Sequence, residues 1–158
     1  KLKKINRSRW SKKPKELKGL KEEVEILGNG RTVYFGAIDI KAIPMYNLTS
    51  ERARFHTKGR GNGYVINFDG LRVYISGDTE DIPEMRQLEN IDVAFVCMNT
   101  PYTMEVEQAA SAVLEFKPQH VIPFHYRSRD GTLSDVKKFG ELVAEDPDIK
   151  VHLLNWYP

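Results

Sequence analysis

The chain has 158 residues, 41% of them hydrophobic and 29% charged, and a formal net charge of +2. This is the size and composition of a single globular domain, and no window holds the ~18 uninterrupted apolar residues of a membrane span or the apolar core of a secretory signal. Cys97 is the single cysteine, which excludes an intramolecular disulfide framework. We therefore expect a cytoplasmic protein without a membrane partner, and a buried, unreactive thiol at Cys97.

The first 23 residues differ from the rest of the chain in charge. They hold ten Lys or Arg against three Glu, and the sequence starts at Lys1 without a Met. We divide the chain into a basic N-terminal segment, residues 1–23, and one domain, residues 24–158. The start at Lys1 favours a piece of a longer protein. A solvated terminus is the simpler interpretation of the basic residues, although cations interleaved with Trp10 also occur in proteins that contact nucleic acid.

Two hairpins are predicted in the first half of the domain. "RTVYF" and "IDIKAI" alternate between apolar and polar residues on either side of a turn at 35–37, and a polar, Gly-rich loop follows over residues 47–63. "YVINF" and "LRVYIS" then flank Asp69-Gly70, the dipeptide favoured by a two-residue hairpin turn. The domain therefore begins with antiparallel strands.

The second half alternates strands and helices. The continuous apolar run "VAFVCM" predicts a strand that is covered on both faces. A helix is expected over residues 104–116 with Thr103 as its N-cap, and a second one over residues 134–144. "HVIPF" and "VHLLN" complete a β-α-β-α-β order. The predicted fold class is α/β (α+β), a mixed sheet with helices on one face.

Polar side chains lie where the predicted strands end. Asp78 follows the second hairpin, Asn99 follows the buried strand, His125 follows "VIPF", and His56 lies in the Gly-rich loop. Imidazoles and a carboxylate suit zinc, manganese or iron. Spacing alone leaves open that Asp78 is a turn residue and that the two histidines are structural.

Three segments resemble a known family: "GNGYVINFDGLRVYISGDTEDIPEM", "MNTPYTMEVEQAASAVLEFKP" and "VIPFHY". They resemble the C-terminal half of the metallo-β-lactamase superfamily, most closely the branch that includes L-ascorbate-6-phosphate lactonase. The resemblance implies half of an αββα sandwich and a dinuclear divalent-metal centre, most often zinc. It also implies that His56 binds one metal, that His125 binds the other, and that Asp78 bridges both and acts in catalysis.

One family motif, His-x-His-x-Asp-His, is absent. The chain has four His, all from position 56 onward. Three explanations stay open: a C-terminal fragment of a hydrolase, a half-domain completed by a second chain, or a relic that serves as a binding or scaffold module. In the first two cases the missing half also covers the open side of the sheet. We expect the chain alone to bind metal weakly, to be inactive or nearly so, and to form a homo-oligomer.

The resemblance implies a hydrolase in which a metal-activated hydroxide attacks a small anionic ester, lactone or phosphoester. Arg127 and Arg129 follow His125, and Lys58 and Arg60 follow His56, so these cations are candidates for binding a phosphate group. Nucleases also occur in the superfamily, and the basic N-terminus keeps that alternative open. We do not expect a nucleic-acid partner, because the rest of the chain has no basic stripe.

Overall fold

The computed structural model describes residues 27–157, so the basic segment at residues 1–23 lies outside the described residues. Within residues 27–157, seven strands form one sheet, and four helices connect some of them. The strands are β1 (Thr32–Phe35), β2 (Ile38–Met45), β3 (Gly61–Phe68), β4 (Leu71–Ile75), β5 (Val93–Cys97), β6 (His120–Phe124) and β7 (Lys150–Val151). The helices are α1 (Ser50–Ala53), α2 (Pro83–Arg86), α3 (Val106–Phe116) and α4 (Val136–Val143).

The strands lie in the sheet in their sequence order, β1 to β7. β1 to β4 pair antiparallel, and β4 to β7 pair parallel. Both residues of the Asp69-Gly70 turn have positive φ, 52° and 101°, as a type I′ hairpin requires. The predicted mixed α/β sheet is confirmed, with the carboxyl ends of β4, β5 and β6 at one edge.

One face of the sheet packs against the helices. Tyr74, Ala94 and Val121 are fully buried on this face. They belong to one apolar cluster with helix residues that include Val113 and Phe139. Cys97 is buried in the same cluster, as predicted, and burial raises the pKa of its thiol. The helices therefore cover one face of the sheet, as predicted.

Helix α3 begins later than the sequence pattern predicts. Its N-cap is Glu105, which forms a reciprocal capping box with Gln108. The Thr103 hydroxyl instead accepts a hydrogen bond from the backbone N–H of Asn99 at 2.7 Å. The prediction of Thr103 as N-cap was wrong, because this hydroxyl closes the loop that follows β5.

Two other boundaries differ from the sequence prediction. Strand β3 begins at Gly61, inside the predicted loop, and a Cβ at Gly63 would lie 2.6 Å from the Ser76 carbonyl oxygen. Glycine thus allows β3 and β4 to approach closely. The predicted last strand "VHLLN" is shorter than expected, because only Val151 of it pairs in the sheet. Beyond this strand, the Trp156 indole N–H donates to the Pro123 carbonyl at 2.9 Å.

The opposite face of the sheet is less covered. Ile75, Phe95 and Phe124 are only partly buried there, and with Trp156 and Tyr157 they line a cavity of about 550 Å³. Residues 27–157 therefore cover only one face of β5 well, whereas its apolar sequence predicts a strand that is covered on both faces. No helix in the described part of the chain is long and apolar enough to cross a membrane.

Candidate metal centre

Asp78 lies in a tight turn directly after β4. Gly77 has φ 66°, and a Cβ there would lie 2.8 Å from the Met45 sulfur and 2.9 Å from the Asn62 carbonyl oxygen. A side chain at position 77 would be both strained and crowded. The turn aims Asp78 at the edge where β6 ends and where the loop between α1 and β3 passes.

Two imidazoles approach the Asp78 carboxylate from these neighbouring segments. Oδ1 lies 2.8 Å from Nδ1 of His125, and Oδ2 lies 3.6 Å from Nε2 of His56. The structure thus brings together the three side chains that the sequence singled out, although they are separated by up to 69 positions in the chain. His120 and His152 lie elsewhere and contact each other at 2.9 Å between ring nitrogens.

The protonation state of His56 follows from its hydrogen bonds. Its Nδ1 lies 3.0 Å from the Tyr102 carbonyl oxygen, which can only accept a hydrogen bond, so Nδ1 carries the proton. In this tautomer of the imidazole, Nε2 presents its lone pair toward Asp78. A lone pair facing a carboxylate is repulsive unless a cation or a proton lies between them.

Asn47 also forms a hydrogen bond to the Tyr102 carbonyl. This residue is buried, and its side-chain N–H groups donate to Tyr102 O at 2.7 Å and to Arg52 O at 2.9 Å. The segment that carries His56 is therefore attached to the loop after β5 by side-chain hydrogen bonds to backbone carbonyls. This attachment orients the His56 ring before any ligand arrives.

His125 is held differently, by its backbone. It is a non-glycine residue with φ 46°, in the left-handed region that costs L-residues energy. Its Nδ1 is buried and has no hydrogen-bond partner, since the 2.8 Å approach to Asp78 is not aligned along an N–H bond. Nε2 lies 3.4 Å from the side-chain nitrogen of Asn99.

The carboxylate and the His125 ring shift each other's acidity. Contact with His125 lowers the pKa of Asp78, although burial opposes this. Contact with Asp78 likewise raises the pKa of His125, again against the effect of burial. Without a metal, the two side chains therefore favour the charged pair.

The donor atoms fit a divalent cation in their chemistry. Imidazole nitrogen and carboxylate oxygen are zinc, manganese and iron ligands, and both the His56 lone pair and the orphaned His125 Nδ1 face Asp78. Within residues 27–157, however, no three His, Cys, Asp or Glu side chains form a group that could hold a metal ion unaided. The described residues thus contribute part of a ligand set.

The predicted substrate-binding cations have different surroundings. Lys58 is exposed, and its ammonium lies 3.0 Å from Glu84 and 3.1 Å from the Tyr46 hydroxyl. Arg127 is also exposed, and its guanidinium carbon lies 5.8 Å from the centre of the ring of Tyr157, a residue that lines the cavity. Among residues 27–157, Arg127 has no carboxylate partner, whereas Lys58 has one.

Sequence reasoning missed the groups that support the three side chains. Glu80 is only 1% exposed and accepts hydrogen bonds from the backbone N–H groups of Leu48 and Thr49. A Glu beside a turn and an Asn in a loop have no periodic signal, so Glu80 and Asn47 could not be recognised before their contacts were known.

Comparison with known proteins places this chain in a family. A sequence profile of the beta-lactamase superfamily domain matches residues 8–125. A UPF0173 metal-dependent hydrolase from Pyrococcus furiosus is 31% identical over 118 residues, which make up 72% of this chain and 52% of the relative. The chain therefore spans about half the length of the curated relatives that it matches.

Solved structures agree. A Parabacteroides distasonis protein assigned as a metal-dependent hydrolase is 44% identical with a TM-score of 0.71, over 83% of this chain and 57% of that chain. A Thermotoga maritima structure of the metallo-β-lactamase superfamily matches at 18% identity with a TM-score of 0.60, over 85% of this chain and 76% of that chain, which shows a shared fold. This chain therefore belongs to the metallo-β-lactamase superfamily, among relatives named as metal-dependent hydrolases.

Proposed function

We propose that Asp78, His56 and His125 contribute ligands to a dinuclear divalent-metal centre, most readily of zinc, in a hydrolase. The observation that carries the proposal is the Asp78 carboxylate between two imidazole nitrogens, at 2.8 Å and 3.6 Å. One of these nitrogens presents a lone pair, and the other is buried without a hydrogen-bond partner. A cation shared by these groups would remove both mismatches.

A bound divalent cation supplies a water of lowered pKa and polarises the oxygen of the scissile bond. The side chains of this chain position that chemistry. Asp78 offers one carboxylate oxygen to each imidazole side, which suits a bridging ligand. The Tyr102 carbonyl keeps the proton of His56 on Nδ1, and the close contact of Asp78 with His125 keeps the ring of His125 at the same edge.

The proposed substrate is a small anionic ester, lactone or phosphoester, such as a sugar phosphate lactone. Arg127 supports an anionic group, because its guanidinium lies near the cavity-lining Tyr157 and has no carboxylate partner among residues 27–157. Arg129 lies nearby, 5.8 Å from the Tyr102 ring. Lys58 is a weaker candidate, since Glu84 already pairs with its ammonium.

We also propose that further ligands and a cover for the open sheet face come from protein outside residues 27–157. A zinc site normally has at least three protein ligands per metal, and three side chains cannot provide that for two metals. The partly exposed Ile75, Phe95 and Phe124 form an apolar face for such a cover. A second copy of this chain or a complementary half-domain is the proposed partner.

The test is a complementation assay. This chain is mixed with the part of the Parabacteroides distasonis relative that lies outside the matched region, loaded with zinc, and given an aryl phosphate or a lactone. We expect hydrolysis that a chelator removes, that Asp78→Asn abolishes, and that Asp81→Asn retains. Arg127→Ala should raise KM for the phosphate about tenfold and leave KM for a neutral lactone unchanged. Turnover that persists in Asp78→Asn contradicts the proposal.

A further inference from the structure

A buried carboxylate outside the proposed ligand set joins two of the segments that carry it. Glu80 follows Asp78 by two residues, and its Oε2 accepts from the backbone N–H groups of Leu48 at 2.5 Å and Thr49 at 2.7 Å. Its Oε1 accepts from the Thr49 hydroxyl at 2.9 Å. The turn that holds Asp78 is thus attached to the start of the segment that carries His56.

Arg52 extends this connection to a third segment. Its Nη1 donates to Glu80 at 3.1 Å and to Gln108 at 3.1 Å, and its Nη2 donates to Glu105 at 2.5 Å. Glu105 and Gln108 begin helix α3, directly after the loop that contains Tyr102. One guanidinium therefore ties together the turn after β4, helix α1 and the loop after β5.

The arrangement is costly unless every polar group in it is satisfied. A buried carboxylate is strongly destabilising unless its oxygens accept hydrogen bonds, and Glu80 is only 1% exposed. Two backbone donors, a hydroxyl and a guanidinium satisfy both oxygens. Such a group can occupy only one position relative to its partners, which makes it a rigid spacer.

We propose that Glu80 and Arg52 form a positioning pair that sets the distance between His56 and Asp78. Arg52 is four residues from His56, and its carbonyl accepts from Asn47, which also holds the Tyr102 carbonyl that His56 uses. A shift of the Glu80 or Arg52 side chain would therefore move the Tyr102 carbonyl, which is the hydrogen-bond partner of the His56 Nδ1–H. The consequence for metal binding rests on the proposed function, but the consequence for the His56 tautomer does not.

The experiment compares the whole chain, labelled with ¹⁵N at the imidazole rings, with the Glu80→Gln and Asp81→Asn variants in metal-free buffer. Asp81 is the matched control, because it lies next in the turn but pairs with Arg86, away from the His56 segment. We expect the wild type and Asp81→Asn to show His56 protonated at Nδ1. Glu80→Gln should show exchange between tautomers, and its cobalt affinity should fall about tenfold, as for other outer-shell partners.

A milder variant covers the case in which Glu80→Gln unfolds. Thr49→Val removes the hydroxyl donor to Glu80 and leaves the carboxylate paired with Arg52, so the same readout applies with a smaller shift. An unchanged His56 tautomer in every folded variant of Glu80 and Thr49 overturns the positioning role. If no variant, including the wild type, binds cobalt but the tautomer still responds, the positioning pair stands and the proposed metal centre fails.

Discussion

The two histidines that face Asp78 are held in contrasting ways. His56 lies in a segment anchored by side-chain hydrogen bonds to the Tyr102 carbonyl, and its backbone is not in the left-handed region. His125 has φ 46°, and its buried Nδ1 lacks a hydrogen-bond partner. One imidazole is thus oriented by its outer partners, while the other is oriented by strained backbone and by the charge of Asp78.

This contrast predicts which substitutions should disturb each histidine. A hydrogen-bonded support weakens when one donor is removed, since each carbonyl acceptor then loses a partner. A strained backbone position is sensitive instead to which residue occupies it, because glycine alone adopts that conformation without steric cost. The His56 side should therefore respond to its neighbours, and the His125 side to its own identity.

The largest effect is expected on the His56 side, from Asn47→Ala. This change removes two hydrogen bonds, to the carbonyls of Arg52 and Tyr102, and should cost about 1–3 kcal/mol in the free energy of unfolding. The His56 tautomer should also become mixed. Urea denaturation and imidazole NMR measure the two effects.

Asn67→Ala serves as the control for that prediction. Asn67 is a partly buried strand residue that donates to Asp39 on β2, far from His56 in the sheet register. Its loss should lower stability but leave the His56 tautomer intact. Equal tautomer shifts in both variants would remove the contrast between the two histidines.

A smaller effect is expected from glycine and alanine at the two histidine positions. At position 125, relief of the left-handed strain should make His125→Gly more stable than His125→Ala by about 1 kcal/mol. At position 56 the order should reverse, because glycine only adds freedom to the unfolded chain there. Thermal unfolding of the four variants checks this, and His125→Ala more stable than His125→Gly would show that the backbone at 125 is unstrained.

The smallest effect concerns pH in the presence of a chelator. The raised pKa of His125 means that its contribution is complete below its ordinary pKa of 6.5 and is lost as pH rises through the folded value. The lowered pKa of Asp78 means that its contribution is complete above 3.8 and is lost as pH falls through the folded value. The pair therefore stabilises most between these limits.

Asp78→Asn should accordingly cost less than about 1 kcal/mol at pH 5, since both groups are partly exposed, and almost nothing at pH 9. Chemical denaturation at the two pH values measures the difference. A loss at pH 9 equal to that at pH 5 would mean that the ionised pair does not account for the contact.

Much of the fold could be predicted because its signals are local. The Asp69-Gly70 turn, the alternation in β4 and the apolar run of β5 follow from propensity and burial. The start of β3 at Gly61 could not be predicted, because it depends on pairing with Met45 of β2, which is distant in sequence. The N-cap of α3 differs from the prediction for a similar reason, since the Thr103 hydroxyl accepts a hydrogen bond from the backbone N–H of Asn99.

The residues of the site likewise divide into those that the sequence identifies and those that it does not. Asp78 and His125 could be selected because they follow predicted strands, and His56 because of the family resemblance. Glu80, Arg52 and Asn47 could not, because their roles lie in hydrogen bonds between segments that the sequence does not show to be adjacent. Strained φ at His125 has no sequence signal, since its neighbours form an ordinary strand and turn.

A cobalt titration followed by visible absorption addresses the metal centre most directly, because d–d bands report both binding and ligand geometry. The wild-type chain and Asp81→Asn should bind cobalt with the same spectrum and weak, equal affinities, since residues 27–157 provide only part of a ligand set. Asp78→Asn should lose the spectrum. Cobalt binding by Asp78→Asn with the wild-type spectrum and affinity would contradict a metal centre at Asp78.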